Sequence, residues 1–533
     1  MYSSYTTLQR AQLAKQEYLD TQEVFLGVYA PGRNAALKAS LQDQLHRKFL
    51  LTDSLRSEAL GSAAGVLLVR EDLFLMSTAL SCFADALRSG ADYVTSDAVF
   101  GYSGVTTLYH SQGFAACPGC ALVSRELLRR CQAEARDPEN PVELLTLAAK
   151  LSRSHVCLPL ALAHYERDIC AEDVWSVKGK RVFIMSHLLD MTGAPIVLVS
   201  AVPVLRSMGY EVLVLGPSDG GSLHLFLDAG ASVITRSSCR NVSDAWGMAL
   251  CADFVIVNTV VMARAVRALS GTAVPVLWWL HDAFAGYPHI AHQIPTQLGE
   301  NVRVYSVGSH AANAMHAVRP EFEIRPLIYG LPDYAAENFV RTDLGYNRGR
   351  PLFATVGSFE RRKGHDIFCK AIRLLPPEVR EKASFLFVGQ AADKEMMDSV
   401  RALTADYPEN VFYCKRLTRD EIKSLMEQCT GLVCASRDDP MPTFVTEGLI
   451  FGKPSIVSEH TGTAGLISEG RNGFVYHDDD PQQLAVLLEH AIEHPEELAS
   501  MRTECRKMYE QYYSKEAFEQ TLRAAVEDLT EKK

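Results

Sequence analysis

The stretch GLVCASRDDPMPTFVTEGLIFGKPSIVS occupies residues 431–458. It opens on an apolar run, GLVCAS (431–436), and closes on another, KPSIVS (453–458). Both have the length of a strand buried on two faces. The segment between them reads as a helix ending near Phe451, with Pro442 in its first turn, where proline is favoured. Strand, helix and strand in this order form a crossover unit, and continuous apolar strands indicate a parallel sheet covered on both sides. The same rhythm extends outward. PLFATVGS (351–358), SFLFVG (384–389) and NVFYC (410–414) precede it. RVFIMS (181–186), EVLVLG (211–216), DFVIVN (253–258), VPVLWWL (274–280) and RVYSVG (303–308) form an earlier series. A looser segment around 333–351 separates the two. Two successive series imply two doubly wound, Rossmann-like α/β domains, in which ligands bind beyond the carboxyl ends of the strands.

Composition fits this reading. The 533 residues are 47% hydrophobic and 22% charged, with a formal net charge of −11. An acidic chain has no general pull toward nucleic acid or anionic lipid. No apolar run reaches the ~20 residues needed to span a bilayer, and the start of the chain, MYSSYTTLQRAQLAKQEYLD, is polar and helical in pattern. A cytoplasmic protein is expected, with at most peripheral membrane association. Its 13 scattered cysteines suit reduced thiols, and the sequon Asn241-Val242-Ser243 would then have no role.

The chemically informative residues lie just after strands. Asp439 precedes the helix of the opening stretch and Glu447 lies inside it, so a carboxylate pair can accept hydrogen bonds from ribose and sugar hydroxyls. Amides at the helix start can meet phosphate oxygens. In VGSFERRKGHD (356–366), Lys363 can set its ammonium on a diphosphate, with Arg361 or Arg362 assisting. In SEHTGTAGLI (458–467), Gly462 and Gly465 permit close backbone approach. Gly193, in LLDMTGAPI (188–196), stands at a helix start, and the pattern is not G-x-G-x-x-G, so no nicotinamide cofactor is indicated. In WWLHDAFAG (278–286), His281 and Asp282 end a strand. Taken singly, each feature also suits an ordinary loop, a solvated helix start or a structural histidine.

Together these segments resemble the family-4 glycosyltransferases, retaining enzymes of the two-domain GT-B fold. The resemblance spans roughly 178–525 and is most specific over 436–467, which is similar to the E-x7-E region of that family. RKG at 362–364, TGAP at 192–195 and YGLPD at 329–333 match in order and spacing. The resemblance implies that Glu447 binds the donor ribose and that Asp439 contacts the transferred sugar. Lys363, with Arg362, would neutralise the leaving diphosphate, and His281 would touch the donor sugar near the reacting carbon. Gly193 would line the cleft, and Gly462 and Thr463 would belong to the phosphate-side loop. Two positions depart from the family: Asp439 replaces its usual Glu, and Ser358 stands where Arg is common. With no D-x-D set in this half, the nucleotide sugar is expected as substrate with no metal and no cofactor. The implied reaction is sugar transfer to a glycan or lipid-linked glycan, in bacterial surface polysaccharide synthesis. The alternatives are a non-catalytic nucleotide-sugar-binding scaffold or another GT-B enzyme such as an epimerase.

The expected organisation is a smaller, helix-rich α/β domain at 1–165, a linker at 166–180, the acceptor-side domain at 181–340 and the nucleotide-sugar domain at 341–510. A final helix, 511–533, would cross back to the first GT-B domain. Residues 65–97 look like part of a family-2, GT-A-like glycosyltransferase. Val69-Arg70-Glu71-Asp72 stands at its D-x-D position and Asp97 at a second acidic one. The degenerate motif implies an inactive domain available to a protein partner or acceptor. Its deletion is expected to leave donor binding intact. The single C-x-x-C at Cys117–Cys120 lacks the second pair a zinc site wants.

Overall fold

A computed structural model describes residues 24–30, 34–70, 72–102, 105–110, 120–175, 179–237, 239 and 245–531. The polar N-terminal pattern, Glu71, Cys117 and the sequon Asn241-Val242-Ser243 lie outside the described residues. The described residues pack as two compact units: those up to Leu277 with Leu298–Val302, and Trp278–Gln297 with Arg303–Glu531. The boundaries expected at 165, 180, 340 and 510 mark changes of rhythm along the chain, whereas these units follow packing, and the two divisions do not coincide.

In the first unit, the described residues of 26–165 contribute eight strands: β1 (Leu26–Tyr29), β2 (Phe49–Thr52), β3 (Gly65–Val69), β4 (Phe74–Leu75), β5 (Tyr93–Tyr102), β6 (Val105–His110), β7 (Cys120–Ser124) and β8 (His155–Tyr165). β9 (Lys180–Met185), β10 (Tyr210–Gly216), β11 (Ser232–Thr235) and β12 (Phe254–Asn258) follow. The order β12-β9-β10-β11-β6-β5-β7-β3-β1-β2 makes one continuous sheet, and β8 pairs with β5 and β4. The four strands β9–β12 are parallel and wholly buried except at Lys180, Arg181 and Glu211. β6 is antiparallel to β11, with Val233 opposite His110. The linker holds a buried charge cluster. Asp173, fully buried, accepts from Arg70 at 3.0 Å and from Arg167 at 2.7 Å.

β13 (Val276–Leu280) and β14 (Val302–Ser306) each carry the chain across the unit boundary. In the second unit, β15 (Ile324–Pro326) pairs with β14. A six-stranded parallel sheet follows, built from β16 (Leu352–Val356), β17 (Ser384–Val388), β18 (Val411–Cys414), β19 (Gly431–Cys434), β20 (Ser455–Ser458) and β21 (Gly473–Tyr476). Its order, β18-β17-β16-β19-β20-β21, is the doubly wound arrangement with its switch point between β16 and β19. The apolar runs read as strands recur here within a few residues, and the whole is mixed α/β with substantial helix. Pro442 sits at the N-cap of the helix Thr443–Ile450, one place outside it. The last long helix, Lys515–Thr530, buries Phe518, which stacks on Trp279 with centroids 5.9 Å apart.

Candidate functional site

The loops leaving β16 and β19 meet at the switch point of the six-stranded sheet. Gly364 makes the meeting possible. A Cβ there would lie 1.7 Å from the carbonyl oxygen of Ala435, and its φ of +65° is left-handed. Only glycine supplies both. The resulting turn, Arg361–Lys363, leads into the helix His365–Leu374. Its backbone is stitched to the β19 loop. Arg437 N donates to Arg362 O at 2.7 Å, and the Arg437 guanidinium grips Asp366 through two bonds of 2.8 Å. Burial pushes the Asp366 carboxyl up, but the bonds from Arg437 outweigh it and hold it low.

This frame brings Lys363 and Asp439 together, with Nζ 2.6 Å from Oδ2. Asp439 keeps 5% of its side chain exposed and Lys363 18%, so the pair is poised at a surface without being open. Arg362 is turned to Glu360 at 3.0 Å, and Ser358 also bonds Glu360. Glu360 is therefore what the short Ser358 side chain and Arg362 share. His365, buried beside them, is driven down to about 3, first by burial and then by the Lys363 charge. It stays neutral.

Asp439 also ties down the third loop, after β20. Its amide donates to His460 O at 3.0 Å, and its carbonyl accepts from Gly462 N at 2.9 Å. A Cβ on Gly462 would meet Pro440 O at 1.8 Å. Thr463 is fully buried and turns its hydroxyl to Met441 Sδ at 3.6 Å, so it supports this loop from behind. Glu447, in the helix Thr443–Ile450, accepts from Arg419 Nη1 at 2.6 Å, and Arg419 lies over the Tyr334 ring, 4.2 Å from its centroid. His281 follows the end of β13, its ring 4.7 Å from that of Trp279. Gly193 belongs to the first unit, exposed at the start of the helix Gly193–Ser207, with open space around its Cα.

The sequence motifs single out Asp439 and not its neighbour Asp438. In the structure it accepts from Phe284 N at 3.1 Å, Ala285 N at 2.8 Å and His310 Nε2 at 2.8 Å. Burial raises its pKa, but His310 and the two amides outweigh that and hold the carboxyl below its ordinary value. Adjacent aspartates thus point to opposite partners: Asp439 to Lys363, Asp438 to the segment just after His281. Neither His310 nor Arg419 carried a local signal, because both act through partners more than 25 residues away.

In residues 1–165 the acidic positions have structural partners. Asp72 accepts from Ala36 N and Leu37 N at 3.2 and 3.1 Å, at the start of the helix Ala35–Gln42. Asp97 bonds His110 Nδ1 at 2.8 Å. Among the described residues, no group of three or more His, Cys, Asp or Glu is placed to hold a metal ion. No described helix is long and apolar enough to cross a membrane.

The family described as "Glycosyl-transferase family 4" matches residues 178–321, and "Glycosyl transferases group 1" matches 337–508. The likeness to the group 1 glycosyltransferases thus rests on residues 337–508, and that to family 4 on residues 178–321. An uncharacterized glycosyltransferase of Methanocaldococcus jannaschii is 25% identical to this chain over 195 residues, 36% of this chain and 53% of its own. Spore coat protein SA of Bacillus subtilis is 27% identical over 160 residues, 28% of this chain and 41% of its own. The chain thus spans about half the length of the curated relatives it matches. Among solved structures, Anabaena HepE in complex with UDP aligns with a TM-score of 0.53 and 18% identity, covering 66% of this chain and 100% of HepE. Sucrose-phosphate synthase of Thermosynechococcus elongatus aligns at 0.54 and 14% identity, covering 66% and 100%. These likenesses establish a GT-B fold for the two thirds of the chain that they cover.

Proposed function

We propose that this protein is a glycosyltransferase that moves a sugar from a nucleotide sugar to a glycan or lipid-linked glycan acceptor, with retention of anomeric configuration. The observation that carries the reading is the Lys363–Asp439 pair, 2.6 Å apart, at the switch point where a doubly wound sheet binds its ligand. HepE was crystallised with UDP-glucose, which supports a UDP-sugar as the first donor to try.

Breaking a sugar–phosphate bond leaves negative charge on the diphosphate and positive charge on the sugar. The incoming diphosphate competes with Asp439 for the Lys363 ammonium. Arg362, now on Glu360, is the second cation within that turn. Amides at the start of the helix Thr443–Ile450 add donors aimed at the same anion. Released from Lys363, Asp439 faces the sugar as it gains positive charge. Glu447, held at one oxygen by Arg419, offers the other to the ribose hydroxyls. His281 lies on a segment fixed by Asp438 and completes the sugar subsite. These cations and dipoles stabilise the leaving group without calling on a divalent ion, so turnover is expected to survive EDTA. Residues 1–165 serve as a degenerate GT-A-like domain that docks an acceptor or partner, and surface polysaccharide synthesis is the setting we favour.

A thermal-shift screen of UDP-, GDP-, dTDP- and ADP-sugars tests the reading. A donor at a hundredfold excess over its Kd stabilises by ~2.7 kcal/mol. Glu447→Ala is expected to remove most of the shift given by the best donor. An equal shift in wild type and variant would place the nucleotide elsewhere. Binding without any donor turnover would favour a non-catalytic scaffold.

A further inference from the structure

Asn258 is the last residue of β12, and its side chain is fully buried. Among the described residues, neither its Nδ2 nor its Oδ1 has a hydrogen-bond partner. A carboxamide can donate two hydrogen bonds and accept two, so leaving all of them unmade is among the more costly things a core position can do. The cost is local and deliberate in kind. A leucine of similar size would satisfy the same space.

The next residue is unusual for a different reason. Thr259 has φ +71° and ψ 163°, a region occupied almost only by glycine. A β-branched side chain there is strained, and such strain persists only where the surroundings enforce it. Two unfavourable features therefore sit on consecutive residues.

Their place in the fold links them. β9 is flanked by β10 on one side and by β12 on the other. The chain runs outward from β9 through β10 and β11. It returns to place β12 on the opposite side, with Pro275 beyond it, whose carbonyl accepts from Val255 N at 2.9 Å. The order of this parallel sheet reverses between β9 and β12. Its carboxyl edge at that point is where a doubly wound sheet receives a ligand. Asn258 and Thr259 stand on that edge.

We infer that Asn258 is a ligand-recognition residue: its carboxamide hydrogen-bonds a pair of neighbouring hydroxyls on a sugar that enters at the carboxyl edge of β9 and β12. This rests on the sugar-transfer reading above, in which the second unit holds the nucleotide and a hydroxylated acceptor needs its own site. The chemistry is matched. Two vicinal hydroxyls present one donor and one acceptor, which a single carboxamide can answer with Oδ1 and Nδ2. Access requires the turn Thr259–Met262 to move, and movement at Thr259 relieves its strained backbone.

The test separates function from structure. Asn258→Leu removes the unpaired polar group while keeping bulk, and Asn258→Ala adds none if leucine fails to fold. Melting temperature is measured for each. Binding of D-glucose, D-galactose and D-mannose is followed by saturation-transfer NMR at millimolar sugar with UDP present. The expected result is a melting temperature raised by about 2–4 °C in Asn258→Leu. Sugar affinity should fall about tenfold in either variant, with UDP affinity unchanged. A lowered melting temperature in Asn258→Leu would show a structural amide satisfied by buried water and overturn the inference. So would sugar binding that is unchanged in the variants or missing from the wild type. Failure of wild type to bind any nucleotide would instead strike the sugar-transfer reading, while the melting comparison would still decide Asn258.

Discussion

Asp439 keeps only 5% of its side chain exposed, and the Lys363 ammonium 2.6 Å away is its charged partner. Removing one member of such a pair costs more than the pair contributes, because the other charge stays behind unmatched. Lys363→Ala is therefore expected to destabilise by about 3 kcal/mol, read from urea unfolding, and to abolish the donor-induced thermal shift. Lys363→Ala/Asp439→Ala should recover stability without recovering the shift. Equal stability of the single variant and wild type would mean the pair is not formed in solution. His110 makes a second residue-scale prediction. Burial works against its positive charge, but Asp97 at 2.8 Å and Asp219 at 3.4 Å outweigh burial and push it up to about 10. An unfolded histidine titrates near ~6.5, so the folded protein holds this proton where the unfolded chain has lost it. The stabilisation is complete below pH ~6.5 and is lost as pH climbs toward about 10. Wild type should lose more melting temperature than His110→Gln between pH 6 and pH 9; parallel curves would dismiss the relay. At this scale the sequence was partly readable. Lys363, Asp439 and Glu447 announce themselves by charge at strand ends. Asp438 and Asp439 look alike in a string of letters, and only the fold sends one to Lys363 and the other to His310. The Asp97–His110–Asp219 relay depends on partners 13 and 109 residues apart, which no local pattern encodes.

At the scale of elements, the crossing of two loops is set by glycine. Gly364 combines a left-handed φ of +65° with the Ala435 carbonyl 1.7 Å from where a Cβ would stand. Any side chain must push β16 and β19 apart at their carboxyl ends, and that gap is where Lys363 meets Asp439. Gly364→Ala is expected to cost about 3 kcal/mol or more, the sum of backbone strain and a steric clash with main chain, and to weaken donor binding in whatever fraction folds. A variant as stable as wild type would show that the approach is looser than described. The strands around this glycine were legible because each is a short, unbroken apolar run: SFLFV is buried at all five positions of β17, and GLVC at all four of β19. Those that escaped notice lack that contrast. β11 is SVIT, four residues behind a polar loop, and β21 is GFVY with a half-exposed valine. Residues 26–165, expected to be rich in helix, hold strands that the sequence hides. β2 is largely half-exposed, and seven consecutive positions of β8 are neither buried nor exposed, so neither shows the periodicity that identifies a strand.

For the molecule as a whole, the first 165 residues matter to the rest of the first unit through the edge of a sheet. β11 ends the parallel series β12-β9-β10-β11, and β6 lies against it in antiparallel register, with Val233, Ile234 and Thr235 opposite His110, Tyr109 and Leu108. Tyr109 is fully buried, and His110 reaches on to Asp219 at 3.4 Å. A truncation that starts at 166 strips this partner away. It leaves a flat edge of unpaired amides and carbonyls flanked by apolar side chains, the arrangement that recruits further strands and aggregates. Sequence alone favoured an independent domain whose loss would spare donor binding, and the six-stranded sheet that holds Lys363, Asp439 and Glu447 does lie entirely in the second unit. The two expectations separate cleanly in one experiment. The truncated protein should elute as oligomers by light scattering at micromolar concentration, yet any monomer recovered should keep the donor-induced thermal shift. Thr235→Lys, which sets a charge on the bared edge, should raise the monomer fraction several-fold. A truncation that is monomeric without it would show that β6 is dispensable to the sheet, and a monomer that has lost the shift would show that residues 1–165 share the donor site.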